Sequence, residues 1–213
     1  MNKLTKISVA LMLALAMNSG HAALTITGAT ASSYSLALSS GVILPDGAIF
    51  QIGYYNSAVT SASFSGLTSG SAFETGWNSL ASSTGNAFDI AGLRSATAIL
   101  ATGVNTYEGK VLLMLVGNAS TMSLSSQAGV FANSTWVAPV NPTGIVPTDY
   151  SFDVSDAGTQ ALFGSLSLGT GAYPLDGVEN SARLAVIIPE PSSASLLALG
   201  MAGLVALRAR RKS

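Results

Sequence analysis

The sequence predicts an all-β protein: a single β-sandwich or jelly-roll-like domain between an N-terminal signal helix and a C-terminal transmembrane helix. Three observations carry that prediction. Short stretches that alternate apolar with small polar residues recur through the middle of the chain, as half-buried strands do. Those stretches follow one another at short spacing with Gly- and Pro-containing turn signals between them, as in a sandwich or jelly-roll-like barrel. Lys3 and Lys6 open the chain, Arg208, Arg210, Arg211 and Lys212 close it, and each group adjoins an apolar run, the arrangement that membrane topology imposes.

In chain order, Met1–Lys6 is a short basic region, Ile7–Met17 (ISVALMLALAM) is apolar apart from Ser8, and Asn18–Ala22 is small or polar. An apolar run this short suits a secretory signal better than a spanning helix of about 20 residues. Cleavage between Ala22 and Ala23 places Gly20 and Ala22 where a signal peptidase accepts only small side chains. The expected organisation is a signal peptide over 1–22, an extracytoplasmic β-rich domain over 23–188 and a tail over 189–213.

Within the body, Leu24–Thr27 and Tyr34–Leu38 alternate as half-buried strands. Gly41–Leu44 leads through Pro45-Asp46-Gly47 into Ala48–Tyr54. That tripeptide is a turn, because proline fixes φ, aspartate caps locally and glycine accepts positive φ. Ala96–Ala101 and Val111–Val116 (VLLMLV), flanked by Gly103, Gly109 and Gly117, read as central strands. Further strands are expected at Ser120–Ser125, Gly129–Ala132, Trp136–Ala138, Tyr150–Val154 and Arg183–Ile188. Two places point to helix. Phe73, Trp77 and Leu80 fall at i, i+4 and i+7 on one helical face, and Asp156 is placed to cap a turn over Ala157–Phe163. Pro139, Pro142 and Pro147 mark a long connection.

Beyond Ile188, Pro189 and Pro191 end any preceding strand, since neither donates a backbone hydrogen bond. Ser192 and Ser193 are natural N-caps, and Ala194–Leu207 carries no charge before the basic end at 208–212. A helix over 192–207 spans roughly 24 Å, and Arg208 can snorkel to make up the difference from a ~30 Å hydrocarbon core. Gly200, Ala202 and Gly203 leave room for a second helix to approach closely. The basic end stays cytoplasmic and the body lies outside.

Pro189-Glu190-Pro191-Ser192, then a short apolar helix, then Arg208-Ala209-Arg210-Arg211, resembles the PEP-CTERM sorting signal of Gram-negative bacteria. The resemblance is confined to the tail together with the N-terminal signal peptide. It implies recognition by exosortase, a membrane-embedded cysteine transpeptidase or protease, with processing near Pro189, Glu190 and Pro191. It also implies export to the cell surface or extracellular matrix in systems that accompany exopolysaccharide production. In that reading Pro189, Glu190 and Pro191 are a sorting element with no catalytic part, and Arg208, Arg210, Arg211 and Lys212 form the cytoplasmic basic anchor.

The chemistry open to the body is narrow. Charged residues make up 9% of the chain against 48% hydrophobic. Between Ala23 and Ile188 only Arg94, Lys110 and Arg183 face nine acids, so the body carries −6 although the whole chain carries −1. A nucleic-acid binder would show a basic patch instead. The chain has no cysteine, and its one histidine, His21, leaves with the signal. Ser–His–Asp and Cys–His catalysis and His-ligated metal sites are therefore excluded from the mature form, no phosphate-binding loop is present, and no cofactor is expected. Asp149, Asp153 and Asp156 are the one acidic cluster. On an extended strand Asp149 and Asp153 share a face and are the calcium candidates, together with loop carbonyls, against a plain reading as a solvated turn and N-cap. Tyr54, Trp77 and Trp136 are the candidate sugar-stacking aromatics if exposed, against a favoured reading as core packing in a chain with few large apolar residues, and strand alternation turns one of Tyr54 and Tyr55 inward. Asn118-Ala-Ser120 and Asn133-Ser-Thr135 match the N-glycosylation pattern. The expectation is a non-enzymatic, exported surface or matrix structural protein. The alternative is a carbohydrate-binding module using exposed aromatics, with or without calcium. A third reading, a glycoside hydrolase, needs two carboxylates across a cleft.

Overall fold

The computed structural model describes residues 24–30, 34–86, 92–100, 106–140, 148–167 and 181–187. The signal peptide with its Ala22–Ala23 junction, the prolines at 142 and 147, the Pro-Glu-Pro motif and the expected spanning segment lie outside the described residues. Among those described, no helix is long and apolar enough to cross a membrane.

These residues build an all-β structure in three sheets. The strands are β1 (Leu24–Ala29), β2 (Ser35–Ala37), β3 (Phe50–Tyr55), β4 (Trp77–Ser83), β5 (Ser95–Leu100), β6 (Val111–Gly117), β7 (Gln127–Val137), β8 (Thr148–Asp153), β9 (Gln160–Phe163), β10 (Ser165–Ser167), β11 (Ser181–Arg183) and β12 (Ala185–Val186). One helical turn, α1 (Ser61–Phe64), and 3-10 turns at Gly70–Glu74 and Met122–Leu124 complete the fold. The large sheet runs β12-β7-β6-β3-β4, with β9 also paired to β7. Two small sheets run β5-β1-β8 and β10-β11-β2. The β1–β8 and β2–β11 pairs are parallel, so both small sheets are mixed.

The apolar runs occupy the middle of the large sheet because they can be buried on both faces. Leu112, Met114 and Val116 of β6 join Phe50, Ile52 and Tyr54 of β3 in a core shared with Leu24 and Ile26 of β1, Leu36 of β2 and Phe152 of β8. The intervening Leu113 and Leu115 join Tyr55, Phe64, Phe73, Met122, Val130 and Ile187 in a second core on the opposite face. The helical turns thus cap one face of the large sheet and the small sheets cover the other.

Several local expectations are corrected. The helix over Phe73, Trp77 and Leu80 is a 3-10 turn to Glu74, then Gly76 at φ 74°, then β4. Pairing of Trp77 with Tyr55 fixes this segment as a strand, whatever its apolar spacing. Ser120–Ser125 is a turn: the Ser125 hydroxyl donates to Thr121 O (2.9 Å) and accepts from the Ala119 amide (3.2 Å). Gly41–Leu44 contributes only one bridge, Ala37 to Ile43. Gly129–Ala132 and Trp136–Ala138 merge into β7, whereas Arg183–Ile188 divides between β11 in a small sheet and β12 in the large one.

The expected cap at Asp156 works differently. Its Oδ2 accepts from Trp136 Nε1 (2.8 Å) and from the Asp153 amide (2.9 Å), tying a turn to β7, and the chain then continues as strand β9. Asp156→Ala leaves the buried indole N–H without its partner and is expected to cost about 1–3 kcal/mol. Asp156→Asn, which keeps an acceptor oxygen, should cost less than the alanine variant; urea unfolding of the two checks this.

Arg94 is a buried cation, wholly screened from solvent. Its guanidinium donates to Asn86 Oδ1 and to the Pro45 carbonyl, and lies 3.8 Å from the exposed carboxylate of Asp46. Burial lowers the guanidinium pKa, and Asp46 opposes that shift. The Pro-Asp-Gly turn is thus held from inside as well as by its own backbone preferences.

Candidate functional site

The two ends of the large sheet differ. At one end β12 lies antiparallel to the start of β7, pairing Val186 with Gln127. Ile187 is buried, and its amide donates to Ser126 O at 2.8 Å. The body is therefore fastened to the sheet up to the residue that immediately precedes Ile188. Asn118 braces the same end, its Oδ1 accepting from the amides of Ser126 and Gln127 at 2.9 Å each.

At the opposite end, where β3 and β7 finish and β6 and β9 begin, a cleft of about 410 Å³ opens. Val59, Val111, Leu113 and Leu162 give it apolar walls, while Asn56, Ser57, Ser134 and Gln160 add hydroxyl and amide groups. Among the described residues, Lys110 is the only charged one in its lining. No carboxylate among the described residues lines the cleft. Sequence reasoning missed this site because it is assembled from four separate segments, none with a local motif.

The candidate aromatics are mostly inside. Tyr54 and Trp136 are 4% and 1% exposed, so they pack in the core, as favoured from the sequence, and are not surface stacking platforms. Trp136 packs on Phe152 at 4.9 Å, and Tyr54 Oη hydrogen-bonds Thr106 Oγ1 at 2.8 Å. Trp77 is half-buried against Tyr55, with ring centroids 5.1 Å apart. Tyr55 is buried as well, since both faces of the sheet are covered and alternation leaves neither tyrosine outward. Its hydroxyl donates to the Phe73 carbonyl.

Asp149 and Asp153 do share the outward face of β8, in register with Thr25 and Ala29. Four residue steps along the strand separate them by roughly 13 Å. One Ca²⁺ with ligands at about 2.3–2.6 Å cannot be held by both. Asp153 Oδ1 instead accepts from the Ser155 amide at 2.8 Å. Among the described residues no group of three or more His, Cys, Asp or Glu could hold a metal ion. The glycosylation-pattern asparagines are structural: Asn118 braces its turn, and the buried Asn133 donates to Ala157 O and accepts from Thr135.

Burial, with Glu74 adding to it, pushes the Tyr55 phenol far above its ordinary value, and burial raises Tyr107 and Tyr150 in the same direction. A raised folded-state pKa stabilises fully below the unfolded value, near 10, and that stability is lost as pH rises through the folded value. Stability is therefore expected to fall above about pH 10, and Tyr55→Phe to flatten that fall; urea midpoints measured from pH 8 to 11 check it.

Residues 188–212 match the PEP-CTERM protein-sorting motif. The tail carries this sorting signal. The PEP-CTERM motif begins at the residue after Ile187, with no intervening linker. It marks the chain for export through the membrane and for processing by an exosortase-type enzyme. The match to the PEP-CTERM motif does not extend into the β-rich body. No curated protein and no solved structure matches the chain.

Proposed function

We propose that the chain is the precursor of a non-catalytic surface or matrix protein whose body is a β-sandwich. Its signal peptide is removed at Ala22–Ala23, residues 192–207 form a spanning helix, and Arg208, Arg210, Arg211 and Lys212 remain cytoplasmic. Exosortase acts at Pro189, Glu190 and Pro191, and the released body associates with exopolysaccharide. The observation that carries this reading is the sorting motif set directly against a body that is hydrogen-bonded into its sheet up to Ile187. Processing at the motif can thus release the body without removing a strand.

The mass of the extracellular form tests both ends at once. The expected product begins at Ala23 and ends close to Pro189–Pro191. A secreted product retaining residues 192–213, or a body found in the cytoplasm with Met1 intact, would overturn the reading. The alternative of carbohydrate recognition loses two of its three aromatics to the core; what supports it is the cleft, with Lys110 and Gln160 in its lining.

A further inference from the structure

We infer, resting on the reading of residues 192–207 as a spanning helix, that the end of the body carrying Val42, Leu124 and Val186 is a lipid-contacting face. It is apposed to the membrane surface while the tail is still attached. Chain length sets the distance. From the anchored Ile187 to Ser192 there are five residue steps, at most about 18 Å when fully extended. The body is therefore tethered close to the bilayer by the end from which the tail leaves.

That end presents apolar tips. Val42, Leu124 and Val186 are 61%, 70% and 51% exposed. They gather around the exit point through the sheet itself. Val186 pairs with Gln127, whose Oε1 accepts from the Ser39 amide at 2.8 Å, and the Leu38 amide reaches Val42 O at 2.7 Å. Leu124 stands on the turn that leads into Gln127. The three residues thus sit on separate segments at the end of the sheet from which the tail leaves.

Charge favours the same contact. Residues 35–44, 117–130 and 184–187 include no Asp, Glu, Lys or Arg, although the body as a whole is acidic. Asp46 stands beyond this group, on the β4 side of the same end, paired with Arg94. Arg183 closes the uncharged stretch on the other side, its guanidinium lying over Gly41. An anionic bilayer surface would repel carboxylates, whereas an uncharged rim with apolar tips can enter the interfacial zone. The cleft lies at the far end of the seven-residue β6, roughly 20 Å away, and opens away from the lipid.

The absence of native cysteine permits a direct test. Chains spanning residues 23–213, with the signal peptide removed and the tail kept, and carrying Leu124→Cys, Val42→Cys or Ser134→Cys, are labelled with an environment-sensitive fluorophore. They are reconstituted in phosphatidylethanolamine–phosphatidylglycerol vesicles containing a lipid with a nitroxide near the headgroup. Quenching at 124 and 42 should exceed that at 134, which lines the cleft, by about threefold or more. Val42→Cys reads the same face if the Leu124 variant folds poorly. Chains that float with the vesicles but show equal quenching at all three positions would overturn the lipid-contacting face and leave the tail reading intact. Chains that fail to float would overturn both.

Discussion

Replacing Pro189, Glu190 and Pro191 together by alanine is expected to leave the chain unprocessed and membrane-bound, with release into the medium reduced to background. Proline fixes φ near −65° and disfavours helical backbone in the residue before it, so the sequence Pro-Glu-Pro opposes helix formation at the motif. Processing enzymes need accessible backbone. Alanine is the strongest helix former. Three in succession would let a helix over 192–207 grow back toward Ile187, hiding the susceptible bonds within helical hydrogen bonding. Two narrower variants separate the contributions. Glu190→Gln removes the charge and leaves the rigidity, whereas Pro191→Ala relaxes the backbone before Ser192 and keeps the carboxylate. Immunoblots of membrane and medium fractions give the readout, and a triple-alanine protein released at wild-type size would refute the role of the motif.

Gly70→Ala is expected to cost about 2–4 kcal/mol, a large loss for the addition of one methyl group. A Cβ at residue 70 would run into the carbonyl oxygen of Met122, with the Met122 carbonyl carbon at 2.8 Å and Ser125 O at 3.1 Å. All three are backbone atoms, and they cannot retreat as the tip of a flexible side chain does. The turn they belong to is braced by the Ser125 amide on Met122 O at 3.0 Å and by the Ser125 hydroxyl on Thr121 O. Gly66→Ala is the control. Gly66 has φ 79° but nothing within 4 Å of a Cβ, so only backbone strain of roughly 1–2 kcal/mol is expected there. Urea unfolding should show a lower midpoint for Gly70→Ala at an unchanged slope. Equal losses at the two sites would mean that the approach of residue 70 to the 122–125 turn carries no energetic weight.

What is legible in the sequence follows from how local each signal is. The tail can be read directly, because prolines, an uncharged run and a basic end are properties of contiguous residues. The strands at 24–29, 50–55 and 111–117 are equally plain, since their side chains are apolar enough to require burial. β4 is hidden: Asn78-Ser79-Leu80-Ala81-Ser82-Ser83 has little apolar alternation, and it is a strand because β3 supplies its partner. The burial of both Tyr54 and Tyr55 is out of reach for a related reason. One strand's alternation cannot reveal that both faces of its sheet are covered, one by small sheets and the other by helical turns. The cleft needs the tertiary fold outright, because β3, β6, β7 and β9 each bring only a few of its residues.

The position of β11 bears on the order in which the body can form. It is the central strand of its sheet, between β10 and β2, and β12 follows it to complete the side of β7 next to β9. Pairings that span most of the sequence form slowly and only once both partners are present. A chain emerging N-terminus first therefore holds β2 without its neighbour until almost the whole polypeptide has crossed. Maturation of the body thus waits on the last segment before the sorting motif, so that a chain interrupted before residue 181 keeps β2 without its strand partner and exposed to other chains.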